Sequence, residues 1–374
     1  MNASMPNTIA VYEKYRDAGN HIGMQLYVSH HGDVVFDGAV GLACMAIDSP
    51  TGEDRALSPE DLVIWKSATK PPVTVCAARL WEQGLLDLDA PVCETIPEFG
   101  VNGKETITAR HILMHTSCFP RVNVEAVKLD WASAIERVCA APVQEDFVIG
   151  ETAAYHPQSS WFILAELVSR IDGRPFPQYI LEEVFQPLGM NHCAVGMEPD
   201  RFDELTDRIS PIYDTAKGQL NISVDHEKKR VCACMPYSNG RGPIRELGRL
   251  YEMLLNGGEL DGARILKQES IDYFTSPHRP DTFDQTFQYP MVWGLGFIID
   301  SRHHGNVSWP YGYGRHSSSK TFGHGGRQTV ASFADPEHGL VVQACFNGTP
   351  GEGRHHRRAR DIASAIYEDL GLVE

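Results

Sequence analysis

Residues 64–84 read IWKSATKPPVTVCAARLWEQG, which places Ser67 three residues before Lys70. The apolar side chains Val73, Ala77, Leu80 and Trp81 follow at helical spacing, and Gly84 supplies a stop. Proline at position 71 belongs in a helix's first turn, so it sets where this helix can begin. Side chains three apart share a helical face, so the Ser67 hydroxyl and the Lys70 amine can meet if the helix starts near Ser67. The open end of such a helix offers N–H groups and partial positive charge to a developing oxyanion. To act as a base, Lys70 must lose or share its proton, which burial or a neighbouring phenol can arrange. The pair alone recurs by chance in chains of this length, and Lys66 reads as a neighbour only.

Outward from this helix, residues 7–18 carry Ile9, Val11, Tyr12 and Tyr15 near helical spacing. The run GMQLYVSHHGDVVFDGAVG then predicts a hairpin turning at His31-Gly32-Asp33. From about 66 to 275 the pattern is mostly helical. Strand character returns after about 290 in MVWGLGFIID, RQTVASFADP and GLVVQACFN, and RRARDIASAIYEDLG closes the chain as a helix. Strands at both ends predict an α/β chain of α+β type, with one sheet assembled from residues 1–65 and 280–374 and a mostly helical domain, 66–279, inserted between them. The glycine-rich piece YGYGRHSSSKTFGHGG at 311–326 reads as a mobile loop.

Composition narrows the function. The 374 residues are 42% hydrophobic and 22% charged, as in ordinary globular proteins, with a net charge of −16. That field repels phosphate backbones and anionic lipid surfaces, so neither nucleic acid nor membrane is an expected partner. Nine scattered cysteines fit reduced thiols and a cytoplasmic setting, and neither a signal peptide nor a membrane span is read.

Further segments follow in a telling order: ITARHILMHTSCFP at 107–120, YHPQSSWFILAEL from Tyr155, NGRGPIRELGRLYEMLLNGGELDGARIL from Asn239, then WGLGF, FGHGG and FADPEHGL. Together with the Ser67 helix they resemble the serine β-lactamase and penicillin-binding protein superfamily, specifically its class C-like, family VIII esterase branch, over nearly the whole chain. The resemblance implies a β-lactamase-like fold with an antiparallel sheet flanked by helices. It also implies Ser67 as nucleophile, with Lys70 and Tyr155 moving its proton. The His324-Gly325-Gly326 triplet takes the place of the family's Lys-Thr-Gly on the edge strand, and the Ser67 and Arg327 amides would form the oxyanion hole. In this reading the two glycines let backbone and substrate approach closely, and His324 supplies a hydrogen bond or partial charge near the phenol.

Two departures matter. Cys118 stands where the family usually has glycine, and Pro157 where it often has asparagine, leaving His156 and Gln158 as substitutes for the lost amide. Loss of both the Lys and the Asn weakens recognition of a β-lactam, so the implied activity is a serine esterase acting on a small-molecule ester or amide, without metal or organic cofactor. A transacylase sharing every catalytic residue, a β-lactamase or D-amino-acid amidase, and a silent acyl-binding scaffold are the alternatives.

Other features invite competing readings. The pairs His30-His31, His303-His304 and His355-His356 suggest metal, but neighbours on a strand point to opposite faces, and His111 and His115, four apart, belong to a packing box. Cys232 and Cys234 lack a second pair for zinc and read as buried thiols. Arg315 and His316 are placed either in the pocket or on a solvated loop.

Overall fold

The computed structural model describes residues 4–119, 122 and 124–373; Pro120, at the end of the 107–120 box, lies outside them. Nine antiparallel strands form one sheet, built from β1 (Gly23–His30), β2 (Asp33–Cys44), β3 (Arg55–Ala56), β4 (Arg279–Asp284), β5 (Tyr289–Trp293), β6 (Ile298–Ile299), β7 (Phe322–Gly323), β8 (Val330–Asp335) and β9 (Leu340–Phe346). Their order is β4-β5-β6-β7-β8-β9-β1-β2-β3, so β1 pairs with β9 from the other end of the chain. The predicted hairpin is β1–β2, turning through His31 and Gly32.

β1 is buried on both faces from Gly23 to Ser29, which explains its unbroken apolar run. Met24, Leu26 and Val28 point to one face, where they meet Ile362, Ile366 and Tyr367 of the C-terminal helix Glu352–Asp369. The N-terminal helix, Pro6–Asp17, packs beside that helix. Residues of the opposite register face the helix Ile244–Leu255, whose Leu247, Leu250, Tyr251 and Leu254 repeat at helical spacing. Gln25 accepts the first amide of that helix, Ile244 N–H, at 2.9 Å, and the Tyr27 hydroxyl donates to Glu252 at 2.5 Å. This helix falls within 66–279 by sequence, yet it is the sheet that buries it.

The Ser67 segment enters from a small second sheet, in which Gly240–Gly242 lies between Val63–Ile64 and Ala194–Val195. A 3-10 turn, Lys66–Thr69, leads directly into the helix Lys70–Glu82, with prolines 71 and 72 in its first turn as expected. Ten of that helix's thirteen residues are buried, packed against the helix Ser159–Asp172 and the segment 176–185. Such burial is the reason its sequence carries so few charges.

The 311–326 stretch is not a mobile loop. Tyr313 donates to Ile298 O at 2.7 Å, Ser317 to Asp300 at 2.9 Å and Ser318 to Asp335 at 2.6 Å, so buried carboxylates and carbonyls tie it into the sheet. Composition alone hid these partners, because they come from distant strands. Arg315 and His316 accordingly face the C-terminal helix, 3.5 Å from Asp361 and 3.9 Å from Glu368 respectively.

Gly248 seats the sheet-facing helix, since a Cβ there would stand 2.5 Å from the Tyr27 ring. Gly248→Val is therefore expected to lower unfolding free energy by about 1–3 kcal/mol through overpacking, read as a reduced denaturant midpoint. An unchanged midpoint would mean that Tyr27 does not set the seat of this helix.

Candidate active site

In a 3-10 turn, side chains at i and i+3 eclipse, so the Lys66–Thr69 turn stacks Ser67 and Lys70 on one face. The Tyr155 hydroxyl donates to Ser67 Oγ at 3.0 Å. Lys70 is fully buried, and its Nζ donates to Tyr237 O at 3.0 Å while lying 5.2 Å from the Tyr155 ring centre and 5.3 Å from that of Trp161. No carboxylate pairs with it among the described residues. Desolvation drives its pKa well below the usual lysine range. An amine in this state can accept a proton.

Tyr155 sits on a segment outside any helix or strand, clamped from two sides. His115 holds one side, with its carbonyl accepting Ala154 N–H at 3.0 Å and its Nδ1 accepting His156 N–H at 3.2 Å. On the other side, buried Asp284 accepts Tyr155 N–H at 3.1 Å, and Thr286 Oγ1 donates to Tyr155 O at 3.1 Å. Arg279 fixes Asp284 by an ion pair of 2.8 Å and donates to Met114 O at 2.9 Å, linking both clamps. The sequence assigned His115 to packing and gave no signal for Asp284, whose role arises from a hairpin more than a hundred residues away.

The two glycines of the edge triplet admit the protein's own groups. A Cβ on Gly325 would lie 2.4 Å from the Trp309 indole nitrogen, and one on Gly326 would lie 2.2 Å from Trp65 O. The strand thus runs against the residues just before Ser67. His324 N–H bonds to Ser332 O at 3.0 Å and Gly326 N–H to Val330 O at 2.9 Å, and Arg327 follows as the first residue of the turn into β8. The Arg327 side chain is 78% exposed. Burial and nearby Lys70 push His324 down to about 3, leaving it neutral, and its Nδ1 donates to Gly325 O at 2.9 Å. It offers no positive charge to Tyr155, whose ring centre is 5.9 Å away. The His156 ring engages Gln144 Oε1 at 3.2 Å.

Backbone strain collects here. Lys66, His115 and Cys118 adopt left-handed φ values of 51°, 57° and 53°. Cys118 thus occupies a conformation that favours glycine, which accounts physically for the residue usual at that point. Lys66 is more than a neighbour: its ammonium pairs with Asp225 at 2.7 Å, with each side chain 19% exposed.

Phe287, Trp293, Tyr289 and Tyr311 continue outward from the Tyr155 ring as an aromatic wall. A separate recess of about 480 Å³, lined by Trp131, Ile135 and Arg170, shares no residue with this cluster.

Comparison with known proteins bears on the fold and the family. A family model described as Beta-lactamase matches residues 9–367. The chain is 28% identical to "Esterase/beta-lactamase LipL" of Mycobacterium tuberculosis, over 75% of this chain and 68% of that protein. It is 30% identical to "Esterase EstB" of Burkholderia gladioli over 52% of each, so it spans about half of that relative. Among solved structures, a family VIII carboxylesterase superposes with a TM-score of 0.80 at 23% identity, covering 99% of both chains.

Removing the Lys66 counter-charge isolates the strain at the Ser67 turn. Asp225→Ala should destabilise by about 1–3 kcal/mol, between the values for exposed and buried pairs, and should slow labelling by a serine-directed probe. Adding Lys66→Gly, which removes the unpaired charge and suits a left-handed φ, should recover most of the stability. Failure of the double variant to recover would refute this account of the turn.

Proposed function

This chain belongs to the Beta-lactamase family, and from that premise we propose that it is a serine hydrolase or acyltransferase whose principal activity is hydrolysis of a small-molecule carboxylic ester. The observation that carries the reading is the 3.0 Å contact of Tyr155 with Ser67 beside a buried Lys70 that no carboxylate among the described residues compensates. Ser67 Oγ attacks the ester carbonyl carbon as its proton passes to the Tyr155–Lys70 pair. The Ser67 and Arg327 amides hold the oxyanion. Collapse breaks the bond to the leaving alkoxide, which takes up that proton and leaves an acyl-serine. Water, deprotonated by the same pair, then releases the acid and restores Ser67.

A β-lactam is a poorer fit, because neutral His324 replaces the cationic lysine that a substrate carboxylate would meet, and Pro157 has no side-chain amide. The aromatic wall beside Tyr155 favours an apolar substituent on the ester.

Ser67→Ala is expected to abolish covalent probe labelling and p-nitrophenyl ester turnover, and persistence of either would overturn the nucleophile assignment. Tyr155→Phe and Lys70→Met should each lower kcat by about 10²- to 10⁴-fold. Lys70 is neutral above its depressed pKa, so kcat/KM should fall as acidification protonates it. His324, already neutral, should leave that limb in place when changed to Asn, and a displaced limb would assign it to His324 instead. Turnover appearing only with an added alcohol or amine would identify a transacylase, and nitrocefin cleavage a β-lactamase.

A further inference from the structure

The adjacent histidines 303 and 304 do not point apart as strand neighbours would. Residues Arg302–His304 form a 3-10 turn, and the two rings lie with centroids 4.1 Å apart at 40°. Both Nε2 atoms converge on one oxygen, Asp281 Oδ1, at 2.7 and 2.9 Å. Asp281 stands in a bulge of β4, between Arg279 and Thr282 where the register shifts, and its φ is 50°. These three ligand atoms all lie within 4.8 Å of one another. Among the described residues, no lysine or arginine forms an ion pair with Asp281.

We propose that Asp281, His303 and His304 form a binding site for a first-row divalent transition metal, best matched by Zn²⁺, outside the serine centre. Two imidazoles and one carboxylate suit zinc and its neighbours, whereas Mg²⁺ and Ca²⁺ favour oxygen ligands throughout. As ligands, both rings present Nε2 lone pairs and carry their protons on Nδ1. Bonds of about 2.0–2.2 Å in tetrahedral geometry set ligand atoms about 3.3–3.6 Å apart. The two histidine contacts to Asp281 need to widen by about 0.4–0.9 Å to reach that spacing. His303 and Asp281 are 54% and 56% exposed, so their side chains can make this adjustment, and water completes the coordination.

Such an ion would tie the β4–β5 hairpin to the 302–304 turn, already joined by the Tyr289 hydroxyl donating to His304 O at 2.8 Å. Asp284 and Thr286, which clamp the Tyr155 segment, lie on the same hairpin. The metal is therefore a brace on the wall of the site and takes no part in acyl transfer.

Isothermal titration of tag-free, chelator-treated protein with Zn²⁺ tests the proposal. One equivalent should bind and raise the melting temperature. Asp281→Asn, His303→Gln and His304→Gln should each weaken binding at least tenfold, while p-nitrophenyl ester hydrolysis measured in chelator stays at the wild-type level. Zinc anomalous scattering should peak between the three side chains. Unsaturable binding, binding unchanged in all three variants, equal affinity for Mg²⁺, or a peak confined to another histidine pair would each overturn the assignment. None of these outcomes depends on Ser67, so they leave the acyl-transfer reading to its own tests.

Discussion

A buried lysine without a counter-ion among the described residues is the constraint around which the site is built. Lys70 lies inside the protein against the rings of Tyr155 and Trp161, with a backbone carbonyl as its acceptor. A full ammonium charge there is costly, so the surroundings favour a neutral amine or a partner that becomes anionic only transiently. Much of the architecture serves this arrangement. The helix starting at Lys70 is buried along most of its length, and the 3-10 turn before it puts Ser67 above the amine.

Placing Tyr155 against that pair takes groups from three separate parts of the chain. The His115 segment, the Arg279–Asp284 strand and the Ser67 turn converge, and each holds a residue with left-handed backbone, His115, Asp281 and Lys66 respectively. Strain of this kind persists only where surrounding contacts over-determine it. At Lys66 the contact is the ion pair with Asp225; at His115 it is a fully buried ring packed on Tyr155 and Trp293. The same packing keeps His115 and His324 neutral, so the aromatic surroundings add no permanent positive charge near the tyrosine.

The His324-Gly325-Gly326 triplet shows how one sequence feature can carry a meaning different from its first reading. Gly325 and Gly326 suggest room for substrate, but Trp309 and the Trp65 carbonyl fill the space their missing Cβ atoms leave. The glycines bring β7's extension hard against the Ser67 turn. The 311–326 stretch is similar: glycines and serines that read as mobility instead allow close packing, with hydroxyls donating to Asp300 and Asp335.

Local pattern determined much of this protein by itself. The β1–β2 hairpin, the late strands, the terminal helices and the Ser67 helix with its proline start were legible because each depends on periodicity or turn chemistry within a few residues. The ordered motifs likewise pointed to the family. Tertiary structure alone decided what those motifs touch: Asp284 under the Tyr155 backbone, Asp225 on Lys66, Tyr237 O on Lys70, and two histidines on Asp281. Each joins residues separated by more than 20 positions, where sequence spacing carries no distance information. Their energetic weight comes from desolvation, which exists only once the chain has closed around them.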